Sequence, residues 1–437
     1  MSTRSARLPS LLVALVATLA IGAGAFAAPA SAVGHYTPPA GVKTNNPLGD
    51  RTERRVIIRH VIRAIDSTPR MSHIRIASWN IRSDAIVDAL IAAHKRHVSV
   101  RVIMDRGNAN PDNPNEGVNR LQRALKNNGN RTRRPAMRSH LEKCRSSCRG
   151  TRGIAHSKFF LFDHVGRAHD VVMNGSFNAT DLAVSGQWND IFTVVGRPKV
   201  FKEFRKVFSQ MFKDQPVAQG YRVHRYRSLT TMAFPYTGAH TTKDPVMREL
   251  DRVTCSGARN TGDGHTSLRI AQTSWYGDRG KQIAWRIRHM QNNGCRIRIV
   301  YAVMGNEVLR ILRHGGDHPV PMRQIVQDFN ADGVYDKYLH MKVMTIQGHY
   351  RKDHAATITL NGSANWSPAV LASDEAVLRL SRPVTLNRYN GWINHLFHNP
   401  PKKYPNGKDP AGTGTGTNLP GRWSTSSVDP YALVEAD

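Results

Sequence analysis

The feature that most restricts what this chain can become is a motif that occurs twice. The first copy reads IAHSKFFLFDHVGRAHDVVMNGSFN over 154–178, and the second reads LHMKVMTIQGHYRKDHAATITLNGSAN over 339–365. Each sets a histidine and a lysine one residue apart, His156 with Lys158 and His340 with Lys342. Each then runs through apolar segments to a G-S-x-N turn, Gly175-Ser176-Phe177-Asn178 and Gly362-Ser363-Ala364-Asn365. An H-x-K triplet alone carries almost no specificity, since chance supplies about one in a chain of this length. Two copies, trailed by the turn serine at 18 and 21 residues from the lysine, make a site.

The surroundings repeat as well. Alternating apolar residues predict a strand over 73–79, an amphipathic helix over 84–97 and a strand over 98–105, a βαβ unit with parallel pairing. Leu268-Arg269-Ile270-Ala271 answers Ile74-Arg75-Ile76-Ala77, followed by a helix over 281–292 and a strand over 294–301. This duplication predicts an α/β fold of two pseudo-symmetric halves. Each is a mixed or parallel sheet flanked by helices, and the active site lies at their interface. The expected division is a signal peptide over 1–32, an N-terminal half over 33–220, a C-terminal half over 221–400 and a low-complexity tail over 401–437 without fixed structure. Residues 33–50 read as an extended lead-in, and the stretch from the helix over 199–212 to about 242 reads as a linker.

Arg4 and Arg7 precede an apolar run that ends in Ala30-Ser31-Ala32, the order of a secretory signal. The expectation is therefore a secreted, extracellular protein. Cleavage there removes those two arginines and no acid, so the net charge falls from +30 to +28. Such a surface attracts polyanions: nucleic acid, an anionic membrane surface or phosphorylated small molecules. The basic loop over 131–152 delivers the chain into His156, either as an ordinary solvated loop or as a collector of phosphate. Four cysteines in an oxidising compartment suggest the local disulfides Cys144–Cys148 and Cys255–Cys295, one of three connectivities. No metal site is expected, because the spacing of Cys, His and acids fits none.

Period-two alternation puts His156 and Lys158 on one face of a strand, and His340 and Lys342 on one face of another. Opposing these faces sets two imidazoles across a pocket with two ammonium groups, which suits a phosphodiester. One neutral imidazole attacks phosphorus while the other, protonated, gives a proton to the departing oxygen. The lysines, Asn178, Asn365 and the Ser176 and Ser363 hydroxyls are placed to hold the non-bridging oxygens. Each imidazole needs an acceptor on its other nitrogen; Asp190 is the candidate after the first turn, and Asp374 or Glu375 after the second. No cofactor is called for.

The paired H-x-K-x4-D … G-S-x-N pattern resembles the signature of the phospholipase D superfamily, and the resemblance extends over roughly 45–398. The first copy matches throughout, Asp163 included; the second has Gln347 where the family has aspartate. The resemblance implies His156 as nucleophile and His340 as general acid, whereas residue chemistry alone permits the reverse. It also implies a phospholipase D acting by hydrolysis or transfer on phospholipids. A metal-independent secreted endonuclease and a non-catalytic lipid- or nucleic-acid-binding protein are the alternatives. Trp275, Tyr276 and Trp366 fall near the motifs and offer either lipid contacts or ordinary packing. With both motifs in one chain, a monomer is sufficient.

Overall fold

The computed structural model describes residues 36–407 apart from 240, 242 and 315–317. The expected signal segment, with Ala32, and the tail from 408 onward lie outside the described residues. Two mixed sheets carry the fold. The first has seven strands in the order Gly41–Thr44, Asp190–Val194, Ala168–Gly175, Phe159–Val165, His73–Ala77, Ser99–Asp105 and His140–Cys144. The second has eight, in the order Arg222–Tyr226, Leu229–Ala233, Ala376–Ser381, Asp353–Gly362, Lys342–Tyr350, Ser267–Trp275, Arg296–Met304 and Met322–Gln324.

The duplication read from the sequence is repeated strand by strand. His73–Ala77 runs parallel to Ser99–Asp105 and antiparallel to the first motif strand. Ser267–Trp275 runs parallel to Arg296–Met304 and antiparallel to the second motif strand. Flanking helices form where apolar residues recur at helical spacing. Val56–Asp66 buries Ile57, Ile58, Val61, Ala64 and Ile65; Asp84–Lys95 buries Ile86, Val87, Leu90 and Ala93. Each large side chain so buried contributes about 1.5–3 kcal/mol.

The halves meet through apolar cores. Phe159, Leu161, Val172 and Phe192 of the first half pack in one cluster with Ala376, Leu378 and Leu380 of the second and with Phe204 and Phe208 of helix Pro198–Met211. Trp188 from the first half is buried among Val300, Leu339, Met341 and Tyr389 of the second. A three-stranded sheet of Val326–Gln327, Lys337–Leu339 and Gln187–Trp188 crosses the boundary.

Three sequence expectations need correction, and one element, the helix Pro383–His398, was not foreseen. Residues 33–50 are not only a lead-in, because Gly41–Thr44 forms the edge strand of the first sheet. The linker contains a hairpin, Arg222–Tyr226 with Leu229–Ala233, which extends the second sheet beyond Ala376–Ser381. Helix Pro383–His398 covers the second sheet; its six buried residues include Leu386, Tyr389 and Ile393. The tail begins later than 401, since the Lys403 carbonyl accepts from the Asp328 amide and the Lys402 carbonyl from Gln327.

Both expected disulfides are formed, Cys144–Cys148 and Cys255–Cys295. Among the described residues no helix is long and apolar enough to cross a membrane.

Candidate active site

Two backbone pairings place the histidines. Ala155 bridges Asp374 in parallel, and the His156 amide donates to the Asp374 carbonyl at 3.1 Å. Leu339 pairs Trp188 in parallel, and the His340 amide donates to the Trp188 carbonyl at 2.9 Å. Each imidazole therefore lies beside the residue that follows its partner on the opposite half. His156 Nδ1 is 2.8 Å from Glu375 Oε1, and His340 Nδ1 is 2.8 Å from Asn189 Oδ1. Both acceptors reach across the boundary between the halves.

The glycines of the two G-S-x-N turns permit this. A Cβ on Gly175 would lie 2.3 Å from the Asp190 carbonyl oxygen, and one on Gly362 would lie 2.1 Å from that of Ala376. Only glycine lets the returning strand come so close. Ser176 and Ser363 then lock the crossing: Ser176 Oγ accepts from the Asp190 amide at 3.0 Å, and Ser363 Oγ from the Ala376 amide at 3.1 Å. Ser176 Oγ also donates to Asn189 Oδ1 at 2.9 Å. Both hydroxyls thus brace the turns, and that of Ser176 also orients Asn189.

The other site candidates divide. His156, Lys158, His340, Lys342, Asn178 and Asn365 are all buried. Lys158 Nζ donates to the His156 carbonyl and Lys342 Nζ to the His340 carbonyl, each at 2.7 Å, which ties each ammonium to the backbone of its own histidine. Asn365 has its amide nitrogen and oxygen buried without a protein partner among the described residues, and its carbonyl accepts from Arg279 at 2.8 Å. Trp79 closes one side, its ring 5.8 Å from that of His156 and also 5.8 Å from Lys158 Nζ.

Asp190 and Asp374 do not orient the histidines. Asp190 Oδ2 accepts from Tyr389 at 2.7 Å and Asn361 at 3.2 Å, tying the two sheets together. Asp374 accepts from Ser147 Oγ at 3.0 Å and from the Cys148 amide, anchoring the disulfide loop; burial pushes its carboxyl up to about 7. Of the two acids left open after the second turn, Glu375 is the orienting one. Asn189 was missed because acids alone were considered. Its signal was positional: it stands 13 residues after Ser176, as Glu375 stands 12 after Ser363.

Trp275 and Trp366 are also corrected. Their rings pack edge to face at 4.5 Å, both are buried, and Trp275 Nε1 donates to the Gly280 carbonyl, so neither meets a lipid surface. Asp163 lies away from the imidazoles, bound to His73 Nδ1 at 2.6 Å and Arg75 Nη1 at 2.7 Å. Asp163→Asn should cost about 1–3 kcal/mol of stability through these bonds while leaving kcat near the wild-type value. Thermal unfolding and initial rates on the same preparation check both parts.

Burial dominates the electrostatics. It pushes the His156 imidazole down to about 4, opposed by Glu375 and reinforced by Lys158. His340 is held well below the usual histidine range by burial, then by the charges of Lys342, Lys158 and His156. Both rings are thus neutral, with Nδ1–H donated to the acceptor and the lone pair on Nε2. A bound phosphodiester reverses this balance, because its negative charge offsets the two ammonium groups and favours an imidazolium.

Residues 61–212 match the family described as "Cardiolipin synthase, PLD-like domain". No curated protein matches the sequence. Among solved structures, polyphosphate kinase from Porphyromonas gingivalis superposes with a TM-score of 0.52 at 10% identity, over 82% of this chain and 50% of that one. This chain therefore spans half the length of that kinase. Phosphatidylserine synthase from Haemophilus influenzae Rd KW20 gives a TM-score of 0.47 at 14% identity, over 81% of this chain and 86% of that one. Nuc from Salmonella typhimurium, described as a phospholipase D family member, gives 0.30 at 23% identity, over 40% and 96%.

Residues 61–212 are thus similar to a phospholipase D-like domain.

Proposed function

We propose that the protein is a secreted phospholipase D that cleaves phospholipids to phosphatidate and the free head-group alcohol through a phosphohistidine. The observation that carries the chemistry is the pair of buried imidazoles, each with Nδ1 anchored by a residue of the opposite half. His156 is the nucleophile. Its Nε2 forms a bond to phosphorus, and the positive charge that then develops on the ring faces the Glu375 carboxylate. His340 is the general acid: its Nε2–H passes to the departing ester oxygen as that bond breaks. Its neutral partner Asn189 does not stabilise an imidazolium as a carboxylate does, which makes His340 the readier proton donor. In the second step His340 takes a proton from water or an alcohol, whose oxygen attacks phosphorus and frees His156. Lys158, Lys342, Asn178 and Asn365 hold the non-bridging oxygens while charge builds there.

Two observations favour a lipid over nucleic acid. Ile154 and Phe329 are large apolar side chains 39% and 37% exposed; Ile154 is two residues from His156, and Lys337, on the strand leading to His340, lies over the Phe329 ring. The basic loop, by contrast, spends much of its charge internally. Arg149 is buried and donates to Gln210 and to the Phe234 and Gly220 carbonyls, while Arg133 donates to the Val98 and His94 carbonyls. The role of that loop as a phosphate collector is reduced accordingly. The two disulfides support an oxidising, extracellular setting, and one chain holds both motifs, so a monomer suffices.

The test is to incubate the protein with EDTA against phosphatidylcholine vesicles and, separately, plasmid DNA. Choline release without nicking is expected. Nicking without choline release would replace the lipid reading with that of a nuclease.

A further inference from the structure

The second motif departs from the first at Gln347, and the consequence lies at the end of the sheet remote from the imidazoles. Lys342 and Gln347 are separated by five residues of one strand, about 17 Å. In the first half the equivalent place is closed and compensated. Asp163 binds Arg75 and His73, and the neighbouring Arg101 donates to the carbonyls of Pro135, Ala136 and Arg138, which cover it.

The registers identify the counterparts. Arg75 pairs Arg101 as Arg269 pairs Arg298, and His73 pairs Ser99 as Ser267 pairs Arg296. The second half thus keeps both arginines, gains a third at Arg296 and loses the acid. Arg269 and Arg298 share a neutral acceptor, Asn394 Oδ1, at 3.0 and 3.1 Å; Arg269 also donates to the Leu268 and Arg296 carbonyls and Arg298 lies 3.4 Å from His398 Nε2, but neither has a carboxylate partner among the described residues. Arg296 alone has one, Asp263 at 2.7 Å. Gln347 is turned to neutral groups, donating to the Asn260 carbonyl and accepting from Asn390. A cleft of about 630 Å³ opens here beside the 260–263 loop, lined by Asp263, Ser267, Arg269, Arg296, Arg298 and Gln347; the acid among them, Asp263, is paired with Arg296.

That volume is the size of a small-molecule site. Two half-buried guanidinium groups without an acid are a costly arrangement, and burial with the adjacent Arg298 charge lowers Arg269 to about 10. An anion with several acceptor oxygens relieves it, and the planar guanidinium fork suits phosphate. We propose that this cleft is a second, non-catalytic binding site for a phosphate group, carried by a soluble phosphorylated molecule or by an anionic lipid headgroup.

Calorimetric titration with inorganic phosphate tests it, because phosphate also enters the catalytic centre and the two sites are counted separately. The wild-type protein should bind two equivalents, and Arg269→Gln/Arg298→Gln one, with the rate on a small soluble phosphodiester unchanged. Gln347→Asp puts back the carboxylate of the first half with both arginines in place. It should weaken the cleft at least tenfold, so the result does not depend on the double variant folding. Vesicles of phosphatidylcholine with and without phosphatidic acid separate the sources: a preference for phosphatidic acid lost in the variants assigns the lipid headgroup, and no preference assigns a soluble phosphate. Identical phosphate isotherms for wild type and both variants would overturn the proposal. So would variants that lose affinity for duplex DNA while keeping both equivalents of phosphate.

Discussion

Replacing His156 by alanine is expected to lower kcat by about four orders of magnitude or more, since both the nucleophile and the covalent route are lost. His340→Ala should be comparably slow on a phospholipid, where the alkoxide leaving group needs a proton, by about 10²–10⁴-fold. The two variants separate when the leaving group is changed. A p-nitrophenyl phosphodiester departs without a proton, so His340→Ala should still release a burst of nitrophenolate and accumulate phosphoenzyme. His156→Ala should do neither. Acid-stable and alkali-stable phosphate are distinguished by quenching at both extremes, because phosphohistidine survives alkali and is lost in acid. A burst from His156→Ala with none from His340→Ala would exchange the two roles. Full activity in either variant would remove the two-histidine scheme altogether.

Glu375→Gln is expected to cost about 10²-fold or more in kcat, because an amide in that place satisfies the imidazole in only one of its two orientations and carries no charge. The pH profile should move as well. Glu375 raises the His156 pKa, by its charge and by its hydrogen bond. Removing that charge lowers the pKa further, so the neutral nucleophile persists to more acid pH and the acid limb of kcat/KM shifts down. A purely structural role would lower the rate without moving the limb. Asn189 is not interchangeable with an acid in the same way. Its amide nitrogen donates to the Ala183 carbonyl at 3.1 Å and Gln187 Oε1 at 3.2 Å, so an aspartate would turn a carboxylate oxygen towards two acceptors. The use of Glu at one histidine and Asn at the other is therefore built into the surrounding hydrogen bonds.

The parallel βαβ units were legible because strand and helix periodicities are local. Ile74 and Ile76 alternate, Ile86, Val87 and Leu90 follow the helical turn, and a second copy of each pattern excludes coincidence. The hairpin of Arg222–Tyr226 with Leu229–Ala233 and the edge strand Gly41–Thr44 were not legible. Strands of four or five residues carry little period, and the places of Gly41–Thr44 and Leu229–Ala233 in their sheets are set by partners more than 140 residues away.

The site shows the same division. That His156, Lys158, His340 and Lys342 are candidates for one site follows from the repeated spacing alone, since period-two geometry puts each pair on one face. Which group orients which ring depends on long-range register. The bridges Ala155 to Asp374 and Leu339 to Trp188 set Glu375 beside His156 and Asn189 beside His340, and send Asp190 and Asp374 to other partners. Likewise Gln347 was visible as a departure from Asp163, but its effect was not. Only the packed sheet shows that Arg269 and Arg298 face an open cleft whose acid, Asp263, is taken by Arg296, whereas Arg75 is paired with Asp163 and Arg101 with backbone carbonyls. Sequence by itself determined the reactive groups and the fold that opposes them, because both rest on local spacing repeated twice. The partner of each group was decided by the tertiary structure, because hydrogen bonds between the halves depend on distances that no local pattern encodes.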